Sequence, residues 1–380
     1  MSAFGLSAEQ QEFAARVRAL AATELKPVAD AGQPGRVNRE LVKALGSLGL
    51  LARLFPGLNE GSLSREAAAT DLCLLRESLA TQSTEAETAL ALQGLGSYPI
   101  LQSGPESLVR RWLPAVAAGD AVAAFALSEP SAGSDAAALA LAAERDGSGW
   151  RLTGEKTWIS NAPEADFYTV FARTTAAAGA RGVSAFVVPA DRPGLTGSHL
   201  DMLSPHPIGS LSFDAVPVSA ADLLGDVDGG FRVAMRTLDL FRPSVGAFAV
   251  GMAAAALDAS VAYAGSRTAF GGPLKEQQAV SHLLADMATR VEAARLLVYS
   301  AAASYDSGQA RRIAGPAAMA KLFATETAQF VVDAAVQIHG ARALQRGHLL
   351  EHLYREVRAP RIYEGTSEIQ RTIIARELYR

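Results

Sequence analysis

Phe167-Tyr168-Thr169-Val170-Phe171-Ala172 and Val183-Ser184-Ala185-Phe186-Val187-Val188, the second run closed by Asp191-Arg192-Pro193-Gly194, decide how the chain folds. Short runs rich in β-branched and aromatic residues, separated by turn clusters, predict strands. The same texture extends from Ala121 to about Val218, with Asp146-Gly147-Ser148-Gly149 as a further turn. On both sides it gives way to helical spacing. From Ser7 to about Gly119 apolar residues recur as Phe13, Val17, Leu20 and Ala21, among Ala, Leu, Glu and Arg. After Gly229-Gly230 that period returns and holds to Arg380, broken at Gly271-Gly272-Pro273 and at Gly340. The expected organisation is therefore α+β in three parts: all-α over 1–120, β over 121–228, and helical again over 229–380. This order excludes a doubly wound nucleotide-binding fold. No Gly-x-Gly-x-x-Gly follows a candidate strand and no Gly-Lys-Ser/Thr loop is present, so any dinucleotide must bind by another route.

Composition narrows the function. With 49% hydrophobic and 19% charged residues the chain can bury a large core. Lys and Arg number 35 against 39 Asp and Glu, a net −4, which argues against a nucleic-acid partner. Cys73 is the only cysteine, so an intrachain disulfide, a Cys-ligated cluster or a multi-Cys zinc site is excluded. Residues 1–13 lack a basic segment followed by an apolar run, and Ser7-Ala8-Glu9-Gln10 reads as a capping box; a cytoplasmic location is the expectation. The apolar stretch 245–257 ends at Asp258, short of the ~20 residues that cross a bilayer. It reads as a buried, tightly packed helix, with no membrane partner.

Four segments could carry chemistry. Leu127-Ser128-Glu129-Pro130-Ser131-Ala132-Gly133-Ser134-Asp135 ends an apolar run in hydroxyls, Gly and Pro, which present backbone N–H groups and hydroxyls to a polar ligand. An ordinary strand-to-turn connection fits the same pattern. In Glu155-Lys156-Thr157-Trp158-Ile159-Ser160-Asn161, Trp158 and Ser160 share one face of a strand and suit a flat heteroaromatic ligand, although core packing also uses Trp. Arg267-Thr268-Ala269-Phe270-Gly271-Gly272-Pro273, followed by Gln278, offers a cation and a ring for a pyrophosphate and an adenine; a solvated Arg beside a capping Gly fits equally well. Ile362-Tyr363-Glu364-Gly365-Thr366-Ser367-Glu368-Ile369-Gln370-Arg371 puts Glu364 in an apolar-flanked turn, with a Ser367/Gln370 capping box opening a helix after Gly365. A carboxylate in a dry turn can act as a base, because desolvation raises its pKa; a surface Glu near a helix N-terminus is the alternative.

His348-Leu349-Leu350-Glu351-His352 matches the pattern of inverted zinc proteases, but too short a tail follows to supply a further ligand. A solvated helix face is the better account, and no metal is expected. His206 and His339 read as structural.

Taken in order, the four segments resemble the acyl-CoA dehydrogenase family over nearly the whole chain: the Leu-Ser-Glu-Pro-x-Ala-Gly-Ser-Asp loop, Lys-x-Trp-Ile-Ser, Arg-x-x-Phe-Gly and Ile-Tyr-Glu-Gly-Thr-Ser-Glu-Ile-Gln. The resemblance implies a helical N-terminal domain, a β-barrel-like middle domain and a C-terminal four-helix bundle. It implies FAD as cofactor, bound in a homodimer or homotetramer. Phe125, Leu127, Ser128, Gly133 and Ser134 would line the flavin and ribityl chain, with Trp158, Ile159 and Ser160 against the ring. Arg267, Phe270, Gln277 and Gln278 would hold the ADP half from a neighbouring subunit, Gln337, Gly340 and Ala341 its other face, and Thr366 and Glu368 would touch the cofactor again. Ser134, Asp239, Arg242, Tyr363 and Gly365 would contact the substrate, and Glu364 matches the family's base. Some relatives carry the base just before the Arg of Asp-x-x-Arg; here that residue is Phe241. The implied reaction is α,β-dehydrogenation of an acyl-CoA, with an electron-transfer flavoprotein as acceptor.

The chain departs from the family at Gly340-Ala341-Arg342-Ala343-Leu344, at 201–209 with Pro205-His206-Pro207, and at 55–61. Bulky Tyr98 and Phe241 either shorten the acyl pocket, favouring a short, branched or cyclic acyl group, or belong to the core. Three rivals stand beside this reading. They are the same dehydrogenation on an acyl-carrier-protein thioester, an oxygen-using flavin monooxygenase or oxidase on the same fold, and a non-catalytic flavoprotein or scaffold.

Overall fold

The computed structural model describes residues 6–58, 62–308 and 313–379; of the divergent stretch 55–61, residues 59–61 lie outside them. Helices occupy the first part of the chain: α1 (Ala8–Leu20), α2 (Lys26–Asp30), α3 (Arg39–Ser47), α4 (Ala69–Ala80), α5 (Thr84–Ser103) and α6 (Glu106–Ala117). Seven strands follow: β1 (Ala123–Ala126), β2 (Ala142–Asp146), β3 (Gly149–Ser160), β4 (Phe167–Arg173), β5 (Val183–Pro189), β6 (Leu195–His199) and β7 (Ile208–Val218). The last part holds α7 (Gly230–Ser266), a small hairpin of β8 (Thr268–Ala269) and β9 (Gly272–Pro273), then α8 (Gln278–Asp306), α9 (Ala314–His339), α10 (Leu349–Glu356) and α11 (Ser367–Glu377). Helix, sheet, helix is the expected order. At α1 the Ser7–Gln10 capping box forms in both directions.

By packing the chain forms two units, each built from separate segments. One comprises Glu24–Ala68 and Thr88–Leu238, and the other Met1–Thr23, Ala69–Glu87 and Asp239–Arg380.

The first unit is organised by the sheet, in the order β1-β4-β2-β3-β7-β6 with β5 on the free side of β4. β1 and β2 run parallel to β4, while β2–β3, β3–β7, β6–β7 and β4–β5 are antiparallel. β4 and β5 read as unbroken apolar runs because nearly every residue in them is buried. Phe167, Phe171, Phe186 and Phe213 form the centre, with Trp112 of α6 packed on Phe167. In β3 the register with β7 slips by one between Lys156 and Ile159. Thr157 is therefore buried next to Lys156, and Trp158 is thrown outward. Simple strand alternation does not place Trp158; a bulge does.

The second unit is a bundle of α7, α8, α9 and α11 with α1, α4 and α10 against it. Glu77 of α4 binds Arg295 Nε at 2.8 Å and the Tyr299 hydroxyl at 2.9 Å, both on α8. The carboxylate of Asp306 accepts from Ala69 N and Thr70 N at 2.7 and 2.9 Å, capping α4 from another helix. The apolar stretch at 245–257 lies inside the 37-residue α7, longer than the sequence run suggested. Among the described residues α7 is the one helix long and apolar enough to cross a membrane, and 67% of its most apolar window is buried in the protein. Its packing is close. A Cβ at Gly246 would lie 2.7 Å from Val298 Cγ2, and one at Gly251 2.5 Å from the Glu77 carbonyl oxygen. Because backbone cannot rotate away, Gly251→Ala is expected to destabilise by about 1–3 kcal/mol, read as a lower thermal midpoint.

Candidate active site

Glu364 sits in the turn between α10 and α11. It adopts φ 52° and Gly365 φ 93°, so two successive residues are left-handed. Glycine tolerates this freely; for Glu it is a strained conformation that its surroundings must hold. Lys321 of α9, itself fully buried, donates from Nζ to the carbonyls of Tyr363 and Gly365 at 3.0 and 2.6 Å. Gln370 Nε2 donates to the carbonyls of Glu364 and Gly365 at 3.2 and 2.9 Å. The helix after the turn is capped by Thr366, whose hydroxyl accepts from Ile369 N at 3.3 Å. The expected Ser367/Gln370 capping box does not form. Ser367 instead bonds Glu326 at 2.6 Å, and Gln370 is committed to the turn.

The residue Glu364 is half-buried, but its Oε2 is withdrawn from solvent and has no hydrogen-bond partner. Burial pushes the carboxyl pKa up, and Arg76, Lys321 and Arg242 pull it back down. The turn is thus not simply apolar-flanked; three buried or nearly buried cations surround its carboxylate. Arg76 of α4 ion-pairs through Nε with Glu87, which is fully buried, and donates from Nη1 to Ser244 Oγ at 2.8 Å. Arg242 donates to Asp239 at 2.8 Å, and its buried Nε has no partner. Neither Arg76, Glu87 nor Lys321 stood out in the sequence. Their one local signal is a charge inside an apolar helical run, as in Leu72-Cys73-Leu74-Leu75-Arg76.

A second set of predicted residues gathers in the sheet unit. Lys156, fully buried, donates from Nζ to the Leu127 carbonyl at 2.9 Å and to Glu129 Oε1 at 2.7 Å. Thr157 N donates to the Ser128 carbonyl at 3.0 Å. These bonds join the 127–135 loop to the β3 bulge, so Phe125, Leu127, Ser128, Trp158, Ile159 and Ser160 lie on adjoining strands and loops. Glu129 also accepts from Ala140 N and Leu141 N at 2.6 and 2.9 Å. Trp158, at φ 56°, is 51% exposed, and Gly133 and Ser134 are exposed with open space over Gly133.

The third set lies at one end of the helical unit. Tyr263 near the end of α7 stacks on His339 at the end of α9, ring centroids 4.2 Å apart. Arg267 follows Tyr263 by one turn, and Gly340 and Ala341 follow His339 directly. α8 and α9 are joined by a short connection and therefore run antiparallel; Arg290 lies over the Phe330 ring at 4.2 Å. This register brings Gln277 and Gln278, at the start of α8, level with the end of α9. Phe270, at φ 51° on the tip of the hairpin, is 95% exposed, and Gln337 is exposed. Thr366 and Glu368 remain with the Glu364 turn.

His348 and His352 do separate work: His348 Nδ1 accepts from Leu350 N at 3.1 Å to cap α10, and His352 Nε2 meets Thr84 Oγ1 at 2.6 Å. Among the described residues no group of three or more His, Cys, Asp or Glu is placed to hold a metal. Tyr98 and Phe241 are each 2% exposed.

Residues 7–120, 124–216 and 228–379 match, respectively, the N-terminal, middle and C-terminal domains of acyl-CoA dehydrogenase. The chain belongs to the acyl-CoA dehydrogenase family, oxidoreductases whose cofactor is FAD. It is 39% identical over 371 residues to the mitochondrial short-chain specific acyl-CoA dehydrogenase of Bos taurus, covering 95% of this chain and 88% of that protein. It is 35% identical over 379 residues to the cyclohexane-1-carbonyl-CoA dehydrogenase of Geobacter metallireducens, covering 99% and 98%. The glutaryl-coenzyme A dehydrogenase–glutaryl-CoA complex superposes with a TM-score of 0.92 at 34% identity, over 99% of this chain and 96% of that one.

Proposed function

We propose that the chain dehydrogenates an acyl-CoA thioester between its α and β carbons, with Glu364 taking the α proton. The observation that carries this is the Glu364 carboxylate: one oxygen is buried and unbonded, its backbone is strained, and cations stand around it. A carboxylate so placed has a free lone pair for a proton and a pKa raised toward neutrality by burial. The Glu364 N–H is the donor assigned to the thioester carbonyl, where it would stabilise the charge that builds as the α proton leaves. The strained turn holds both groups of one residue in place, so base and donor act on adjacent atoms of the substrate. Arg242, with its unpartnered Nε, and Asp239 would meet the thioester arm, and Ser134, Tyr363 and Gly365 would complete the substrate contacts.

FAD fits the remaining residues. The outward Trp158, the open exposed Gly133 and Ser134, and the solvent-facing Phe270 beside Arg267 are the aromatic planes, small residues and cation that such a group requires. When bound, FAD would supply the hydride-accepting chemistry for the β hydrogen. Phe125, Leu127, Ser128, Ile159 and Ser160 would orient its ring. Gln277, Gln278, Gln337, Gly340 and Ala341 would hold its nucleotide end, and Thr366 and Glu368 would reach it from the base's turn. An electron-transfer flavoprotein as acceptor, a cytoplasmic location and a homodimer or homotetramer complete the reading.

The proposed substrates carry a short, branched or cyclic acyl group, supported by the kinds of acyl-CoA dehydrogenase to which the chain is similar. The test is anaerobic loss of flavin absorbance near about 450 nm against a panel of acyl-CoAs. Fastest bleaching by short, branched or cyclic members is expected; fastest bleaching by long straight chains would overturn the acyl class. No bleaching by any member, with FAD bound, would overturn the CoA reading in favour of a carrier-protein substrate or an oxygen-using reaction.

A further inference from the structure

Lys321 is fully buried in the first third of α9, where a neutral side chain would be the ordinary occupant. Its ammonium reaches the two carbonyls on either side of Glu364, Tyr363 O and Gly365 O, while Gln370 from α11 takes Glu364 O and Gly365 O. All three carbonyls of 363–365 are thereby fixed by two side chains on different helices. A peptide unit polarises as a whole: a cation drawing electron density toward its C=O leaves its N–H more positive. The Tyr363 carbonyl belongs to the same peptide unit as the Glu364 N–H.

We propose that Lys321 is a positioning residue for the reaction, holding the left-handed turn at Glu364 and Gly365 and, through the Tyr363–Glu364 peptide, strengthening the N–H donor assigned to the thioester carbonyl. The inference rests on the proposed dehydrogenation for its second half only; the holding of the turn does not depend on which reaction is run. Burial draws the Lys321 ammonium down to about 8, with Glu364, Glu326 and Glu368 favouring its charge and Arg242 opposing it. Glu364 in turn faces Arg76, Lys321 and Arg242. Lys321 therefore carries its charge at neutral pH and loses it on the alkaline side.

The experiment uses FAD-loaded wild type, Lys321→Met, which keeps length and removes the donors, and Lys321→Gln, which keeps a neutral donor. Amide hydrogen exchange is read without substrate, and steady-state rates and their pH profile with the best acyl-CoA of the panel. In Lys321→Met, exchange at residues 363–366 is expected to quicken by about tenfold or more while α9 stays protected. The same variant should lose about tenfold to a hundredfold in kcat with KM within about threefold, and its rate should no longer fall above about pH 8. Lys321→Gln should recover part of the protection and of kcat. Unchanged exchange with kcat within about threefold of wild type in Lys321→Met would overturn the proposal. So would exchange that rises throughout α9 and α11 with kcat tracking the loss of thermal stability. Faster exchange confined to the turn, in a protein whose wild type no acyl-CoA reduces, would sustain the holding of the turn and overturn both the N–H role and the proposed reaction.

Discussion

Glu364→Gln is expected to slow anaerobic flavin reduction by acyl-CoA about a hundredfold to ten-thousandfold, the range over which a positioned general base acts. FAD content and acyl-CoA binding should be retained, because Gln has nearly the same shape and the backbone N–H is untouched. The same substitution is expected to raise thermal stability. Burial places the Glu364 pKa above its unfolded value. A carboxyl shifted upward contributes stability that is fully present below the unfolded pKa and is lost as pH rises through the folded one. As pH rises through the raised pKa the native protein loses that contribution, and the amide, which does not titrate, keeps its stability. Activity runs the other way, since proton abstraction needs the ionised form: the wild-type rate should climb with pH through the raised pKa. Stopped-flow bleaching and a thermal melt on the same preparations check both. A Gln variant that bleaches at the wild-type rate would remove Glu364 as the base.

Lys156→Met is expected to destabilise the sheet unit strongly. It strips the cation from Glu129 while leaving the carboxylate 3% exposed as a residue, with only the Ala140 and Leu141 N–H groups beside it. Removing one member of a buried pair typically costs about 3–5 kcal/mol. At about 2–4 °C per kcal/mol, the thermal midpoint should fall by roughly 6–20 °C. Lys43→Met is the control: its pair with Asp120 is half exposed on both sides, and its loss should change stability by less than about 1 kcal/mol. Because Lys156 also ties the 127–135 loop to the Trp158 bulge, FAD should be bound more weakly by the variant, measured by cofactor retained on dialysis. A midpoint that moves no more than that of the control would show that Glu129 neutralises or finds water without loss.

The strands were legible because β4 and β5 are buried on both faces and so carry apolar runs too short for helices. Helix breaks were legible where glycine takes a left-handed turn, as at Gly271 and Gly340. The capping position after Glu364 was misread by one residue: Thr366, Ser367 and Gln370 are all competent caps, and the choice among them is made by Lys321 and Glu326 from another helix. The outward turn of Trp158 was also hidden, because a bulge depends on what β7 presents opposite it rather than on the local pattern. The cations around Glu364 were the least visible. Arg76 and Lys321 are separated by 245 positions and are brought to one carboxylate only by packing of helices. The assignment of α4 to the same unit as α8 was invisible for the same reason.

That last arrangement has a consequence for synthesis. α4 ends at Ala80, but its partner α8 begins only at Gln278, and the turn that carries Glu364 comes later still. At roughly 5–20 residues per second, the buried face of α4 waits about 10–40 seconds for its partner to leave the ribosome. The sheet unit, complete by Leu238, can fold in that interval. A nascent chain halted before α8 would thus present a finished sheet unit beside naked apolar helices, the kind of surface that chaperones hold and that proteases find first.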